Sequence, residues 1–190
     1  MKTMLSGAIA ALALIAASAL AAAPLKLTPA NPQPGAPKPG LSVVYGFAPE
    51  GEHIKTLADA RAMLRTYGKR GSPLSGLDYR DGQPTLTSKR AENVAAQISG
   101  YVRFDEPGIY DVDFLTNDGL DMRIGGQRVG LFDGRQTCDS ILGTQVEVPK
   151  AGWYKLDGVY FNRLNTSCLH MRWAKAGGKM SWVPDSAFGY

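Results

Sequence analysis

The stretch FLTNDGLDMRIGGQRV, Phe114 to Val129, places a carboxamide, a carboxylate and a glycine in direct succession at Asn117, Asp118 and Gly119. The residues on either side alternate between apolar and polar, as strands do, so the tripeptide sits at the rim of a sheet. Two chemistries suit it. All three residue types tolerate turn geometry, and Asn-Asp-Gly makes a good hairpin connection. Alternatively, the adjacent side-chain oxygens of Asn117 and Asp118 could serve a ligand at that rim.

Other chemistry-bearing residues give little sign of catalysis. Asp111 and Asp113 lie two apart on one strand face. A glycosidase pair must flank a substrate, with one pKa raised, and nothing nearby builds a cleft. Ser, His and Asp occur without a nucleophile elbow or comparable motif. His53 is isolated, His170 alternates with Leu169 and Met171, and no third ligand stands at zinc spacing. The expectation is a protein that is not an enzyme. Trp153 and Trp173 occupy strand positions suited to packing. Trp182, which follows a Gly-Gly-Lys loop, is the better candidate for an exposed ring. Asn165-Thr166-Ser167 is a glycosylation sequon, relevant in a host that glycosylates.

The elements that must position these residues are mostly strands. The chain has 190 residues, enough for one domain with a core. Its 22 glycines and 12 prolines favour a turn-rich β protein over a helical bundle. Leu41 to Phe47 reads as a first strand. Thr56 to Tyr67, TLADARAMLRTY, is a helix, with Thr56 as cap, Asp59 at the capping-box position and Gly68 at its end. Leu57, Ala60, Met63, Leu64 and Tyr67 form its apolar stripe. Gly71 to Lys89 is turn-rich, with a short strand at Leu77 to Tyr79. From Val94 onward the pattern is β throughout. In Ile109 to Thr116, Tyr110, Val112 and Phe114 face one way; Leu120, Met122 and Ile124 alternate in the next strand, and Gly125-Gly126 signals a hairpin. Asp133 to Thr144 reads as a long loop. Further strands cover Gln145 to Val148, Trp153 to Phe161, Leu169 to Trp173 and Met180 to Val183. This many short strands imply an antiparallel sandwich or barrel.

Residues 1 to 23 have the pattern of an export signal: Lys2, an apolar run from Gly7 to Ala23, and small-x-small sites at Ala19 to Ala21 and Ala21 to Ala23. The run is short for a bilayer span, and no later segment reads as a transmembrane helix. Pro24 to Gly40 adds five prolines after Pro24 and reads as an extended, poorly ordered tether, with the compact domain spanning 41 to 190. The two cysteines, Cys138 and Cys168, are expected to pair in an oxidising compartment, the rival reading being two buried thiols. Net charge is +4. Arg61, Arg65, Lys69, Arg70, Arg80, Lys89 and Arg90 form a basic group that reads as a solvated face, or as an attraction for an anionic glycan or envelope surface. No aromatic residues interleave with them as a nucleic-acid site requires, so nucleic acid is not an expected partner.

ISGYVRFDEPGIYDVDFLTNDGLDMRIGGQRV resembles the central signature of the protective-antigen domain family, with Gly100, Tyr101, Gly108, Tyr110, Asp118, Gly119, Ile124 and Gly126 at matching positions. AGWYKLDGVYF, at Ala151, Gly152 and Trp153, and LHMRW, at Leu169, Met171 and Trp173, resemble two later strands of that family; GLSVVYGF resembles its first. The resemblance spans residues 41 to 188 and implies an all-β fold, an antiparallel β-sandwich with one short helix near the start of the domain. Relatives include glycan-binding adhesins and domains attached to secreted enzymes. In the sugar-binding relatives two adjacent aspartates, joined by a cis peptide, hold a calcium ion that accepts sugar hydroxyls. Here Asn117 and Asp118 take those positions, so one charge is missing. Further oxygens must come from elsewhere: Asp133 or Asp139 in the long loop, Asn162 or Asn165, or backbone carbonyls.

The resulting expectation is an exported, non-enzymatic glycan-binding or adhesive module, periplasmic or secreted to the cell surface, with calcium as the implied cofactor. Its ligand-binding residues are Asn117, Asp118, Gly119, Asp133, Asp139 and Trp182, and its metal ligands Asn117, Asp118 and Asp133. The partner is a glycan or another cell-envelope component. The alternative is a structural or protein-interaction subunit of an envelope assembly with no sugar site.

Overall fold

The structure is a computed structural model that describes residues 22–82 and 84–190. The expected signal segment, 1 to 23, lies almost wholly outside the described residues. In chain order the elements are β1 (Leu25–Lys26), β2 (Ser42–Phe47), α1 (Leu57–Tyr67), β3 (Lys69–Arg70), β4 (Asp78–Gly82), β5 (Val94–Phe104), β6 (Gly108–Asn117) and β7 (Gly119–Ile124). They continue with β8 (Gln127–Phe132), β9 (Asp139–Ser140), β10 (Thr144–Val148), β11 (Gly152–Asn162), β12 (Ser167–Lys175), β13 (Ser181–Trp182) and β14 (Phe188–Gly189).

Alternating side chains force two layers. Tyr110, Val112 and Phe114 on β6, Leu120, Met122 and Ile124 on β7, and Tyr154, Leu156 and Tyr160 on β11 all turn into one core with Phe104, Leu169 and Met171. Each fully buried side chain of this size stabilises by ~1.5–3 kcal/mol, and two facing sheets bury them here. The first sheet runs β1-β10-β6-β12-β13, with β4 on β12 and β9 on β6; the second runs β3-β2-β5-β11-β7-β8, with β14 on β5. Among the described residues every strand pairing is antiparallel except β1 with β10. This is the β-sandwich expected from the sequence.

Helix α1 covers the outer face of the second sheet. Thr56 accepts from the Asp59 amide while the Asp59 carboxylate takes the Thr56 amide, the capping box read from the sequence. Leu57 and Ala60 pack against Ala48, Ile54, Ala95 and Phe161 in a second, smaller apolar cluster. Phe161 points outward because it follows inward-facing Tyr160 on the same strand. The β7–β8 hairpin turns at Gly125 and Gly126, both with positive φ (54° and 82°), the geometry glycine adopts without steric cost.

The Pro-rich segment is not a tether. β1 pairs with β10, Leu27 is buried, Thr28 donates to Gly125 O at 2.9 Å and Ala30 to Trp153 O at 2.9 Å. Gln33 clamps the same strand end: its Nε2 donates to Trp153 O at 3.0 Å and its Oε1 accepts from Trp153 N at 2.7 Å. Lys38 and Tyr190 exchange two backbone bonds, each 2.8 Å. Prolines lack a donor, but the residues between them retain theirs and use them on strand edges. The ordered domain therefore starts near Leu25, not Leu41.

Candidate ligand-binding site

Asp118 is the single residue between β6 and β7, and these two strands lie in different sheets. Asn117-Asp118-Gly119 is therefore not a hairpin turn. It is the point where the chain crosses from one layer of the sandwich to the other. Register fixes it on both sides: Asn117 lies opposite Cys168 on β12, and Gly119 opposite Phe161 on β11. Gly119 is required there, because a Cβ would come within 2.2 Å of the Phe161 ring. The Asn117–Asp118 peptide is cis.

Hydrogen bonds tie the crossover to two loops. Asp118 N donates to Phe161 O at 2.9 Å, and the Tyr160 hydroxyl donates to Asn117 O at 2.5 Å. The carboxylate of Asp118 accepts from Gln136 N at 3.2 Å through Oδ1 and from Arg163 N at 2.8 Å through Oδ2. Gln136 Nε2 in turn donates to Thr116 O and Asp139 O, both at 3.1 Å. Asp118 is buried, and this desolvation pushes its pKa up, opposed by the two amides and by the guanidiniums of Arg135 and Arg163. The Cys138–Cys168 disulfide, with Cα atoms 5.8 Å apart, fastens the first loop to β12 beside Asn117.

Between the loops lies an open cavity of ≈ 560 Å³, lined by Asn117, Asp118, Arg135–Thr137 and Arg163–Thr166. Its wall combines one carboxylate, two guanidiniums, carboxamides and hydroxyls, a lining suited to a polar ligand. Four atoms at or beside it are buried with no hydrogen-bond partner among the described residues: Thr116 Oγ1, Asn117 Oδ1, Asn162 Oδ1 and Arg163 Nε.

Of the residues singled out in the sequence, the structure brings Asn117 and Asp118 together on this wall, with Asn165 opposite. It places the others elsewhere. Asp133 Oδ1 accepts from Leu57 N at 2.7 Å, at the N-terminus of α1, where a carboxylate meets free amides. Asp139 Oδ1 accepts from Ser140 N at 2.7 Å. Trp182 is exposed, its ring 5.1 Å from that of His170. None of these three lines the cavity. Asp113 is held by Ser140 and Arg172, and Asp111 by Gln145. Cys138, Cys168 and His170 come close enough to suggest a metal site, but both sulfurs are in the disulfide and His170 Nδ1 lies 2.7 Å from Asp78. Sequence reasoning placed the loop from Asp133 to Ser140 on the binding surface without naming its residues Arg135, Gln136 and Thr137, noted Thr166 only within the sequon, and missed Arg163. No periodicity marks them; only the register of β11 and β12 and the pairing of the cysteines bring their loops to the crossover.

No protein-family model matches the chain, and no curated protein matches it in sequence. Solved structures do match. The PA14 domain of the MpAFP antifreeze protein has a TM-score of 0.67 at 18% identity, covering 82% of this chain and 92% of that one. The PA14 sugar-binding domain from an RTX adhesin scores 0.63 at 14% identity, covering 80% and 99%. The Epithelial Adhesin 9 A domain from Candida glabrata, in complex with Galb1-3GlcNAc, scores 0.60 at 14% identity, covering 83% and 91%. The class is thus a two-layer β-sandwich. More narrowly, the chain has the PA14 domain fold that the sequence resemblance indicated.

The calcium ion implied by that resemblance can be tested against the donors. Asn117 Oδ1 is an orphaned buried oxygen. Each Asp118 oxygen accepts one N–H and keeps further lone pairs. These two side chains fit a calcium ion, with a single negative charge between them; Asp133, the third expected ligand, is engaged at α1.

Proposed function

We propose that the chain is an exported, non-enzymatic glycan-binding module of adhesive type that takes its sugar in the cavity at the Asn117–Asp118 crossover. The observation that carries this reading is the coincidence of the cavity with the Asn-Asp-Gly motif. Structural neighbours support it, since one is a sugar-binding domain and another was solved with a disaccharide. The carboxylate of Asp118 holds the two loops in place, and the Asn117, Gln136, Thr137, Asn165 and Thr166 side chains offer the alternating donors and acceptors that sugar hydroxyls need. Calcium, held by Asn117 and Asp118, would accept sugar hydroxyls directly. Export is supported by the disulfide, a bond of oxidising compartments. Among the described residues no helix is long and apolar enough to cross a membrane.

A second reading, the structural subunit, is favoured by the same carboxylate: Asp118 already has a structural task in tying both loops. A glycan array probed with the intact protein, with and without chelator, separates the two. Binding that is lost in Asn165→Ala and Thr137→Ala variants of unchanged melting temperature supports the sugar site. A silent array moves the assignment to the structural subunit.

A further inference from the structure

Four of the chain's eleven arginines are ion-paired among the described residues. Arg61 and Arg128 pair with Asp121, Arg172 with Asp113 and Arg103 with Asp105. At the cavity, Arg135 and Arg163 form no ion pair among the described residues. Arg135 is exposed on one loop; Arg163 is half-buried on the other, its Nε shut from solvent without a partner. A guanidinium held in this way loses part of its hydration and has not regained it in hydrogen bonds, which costs stability until an acceptor arrives. Asp118 does not serve as that acceptor: its bonds run to the backbone amides of Gln136 and Arg163, not to their side chains. Two guanidiniums thus face the cavity against one carboxylate, and a calcium ion would make the wall more positive still.

We propose that the cavity selects an acidic glycan, one whose sugar carries a carboxylate, and that Arg135 and Arg163 are its specificity-determining residues. This rests on the glycan-binding reading above and names the substrate class for the same site. A planar carboxylate matches the guanidinium fork in a two-point, charge-assisted contact. A neutral sugar leaves both forks unmatched.

The test uses the intact protein and a panel of uronate and sialate oligosaccharides, each paired with its methyl ester. Esterification removes the charge and keeps the hydroxyls. The acids are expected to bind about tenfold more tightly than their esters, the scale of one charge-assisted contact. Arg163→Gln or Arg135→Gln should erase this preference, while Arg65→Gln, on exposed α1 away from the cavity, should leave it intact. Equal binding of acid and ester overturns the proposal and leaves the glycan-binding reading standing. Loss of preference in Arg65→Gln as large as in Arg163→Gln also overturns it, since overall charge would then be what is read. A sulfated oligosaccharide that binds as tightly as the carboxylates overturns the assignment to a carboxylate. Failure of every acid, ester and neutral sugar to bind removes the glycan-binding reading itself.

Discussion

The carboxylate of Asp118 accepts the backbone N–H of Arg163 at 2.8 Å across a sequence gap of 45 residues. With the matching bond from Gln136 it makes one side chain the tie between two loops and the crossover. Asp118→Ala should therefore leave two amides without their acceptor and cost about 1–3 kcal/mol, because a buried unsatisfied group bears the full desolvation penalty. Denaturant melts of wild type and variant measure this. A change below a few tenths of a kcal/mol would show that water replaces the carboxylate at no cost.

The disulfide fastens the cavity's first loop to β12 from the residue next to Thr137. Reduction opens a loop of 30 residues in sequence separation, which in the chain-entropy model removes ~3 kcal/mol. A Cys138→Ser/Cys168→Ser pair is expected to melt several degrees lower and to bind glycan more weakly, since Arg135 to Thr137 lose their anchor. Unchanged glycan affinity in the double variant would separate the bond from the site.

The sandwich was legible because period-two alternation is enforced by burial: one face of each strand must be apolar, and β6, β7 and β11 carry that pattern openly. Thr56 and Asp59 were legible because a capping box is local. Of the two readings of Asn117-Asp118-Gly119, the hairpin fails because a turn and a change of sheet use the same residue types, and only strand pairing distinguishes them. The Pro-rich segment misled for a related reason. Composition records prolines that cannot donate, but not the edges at which Thr28, Ala30 and Gln33 find partners. Asp133 drew attention as an acidic residue in the right loop, yet an exposed helix N-terminus competes for the same carboxylate. Arg135 and Arg163 have no sequence signature, since their meeting depends on three distant pairings.

Those edge contacts make the N-terminal segment part of the fold. Removal of residues 22–40 should expose the core face that Leu27 covers and free the acceptors at Gly125 and Trp153. Burial of a leucine alone is worth ~1.5–3 kcal/mol, so the truncated chain should melt at lower temperature. Thermal melts of the two chains, with β content checked by circular dichroism, test this. Equal melting would restore the tether reading.

Asn117 and Asp118 offer calcium one charge where the sugar-binding pattern has two, so Asn117→Asp should tighten calcium binding. Calorimetric titration compares the two proteins. A variant that binds no more tightly than wild type would mean that Asn117 Oδ1, though unpartnered, is not a ligand.

Acidification should move the two proposed ligands of the cavity in opposite directions. Burial raises the pKa of Asp118 from its ordinary value, so the folded protein holds this proton more tightly than the unfolded chain. The sign follows: between the unfolded and folded values stability falls as pH rises, and lowering the pH relieves the cost of the buried charge. Protonation of Asp118 removes the one negative charge facing Arg135 and Arg163. As pH falls from neutral toward the folded pKa of Asp118, calcium binding should weaken, because its ligand must be ionised. Over the same range, in calcium-free solution, the preference for an acidic glycan over its methyl ester should grow, provided the sugar carboxylate is still charged. Asp118→Asn, which keeps an acceptor oxygen, should abolish both trends. Calorimetry with calcium, and with one acid–ester pair, at several pH values reads them independently. Parallel rather than opposite trends, or trends that persist in Asp118→Asn, would place the titrating group elsewhere.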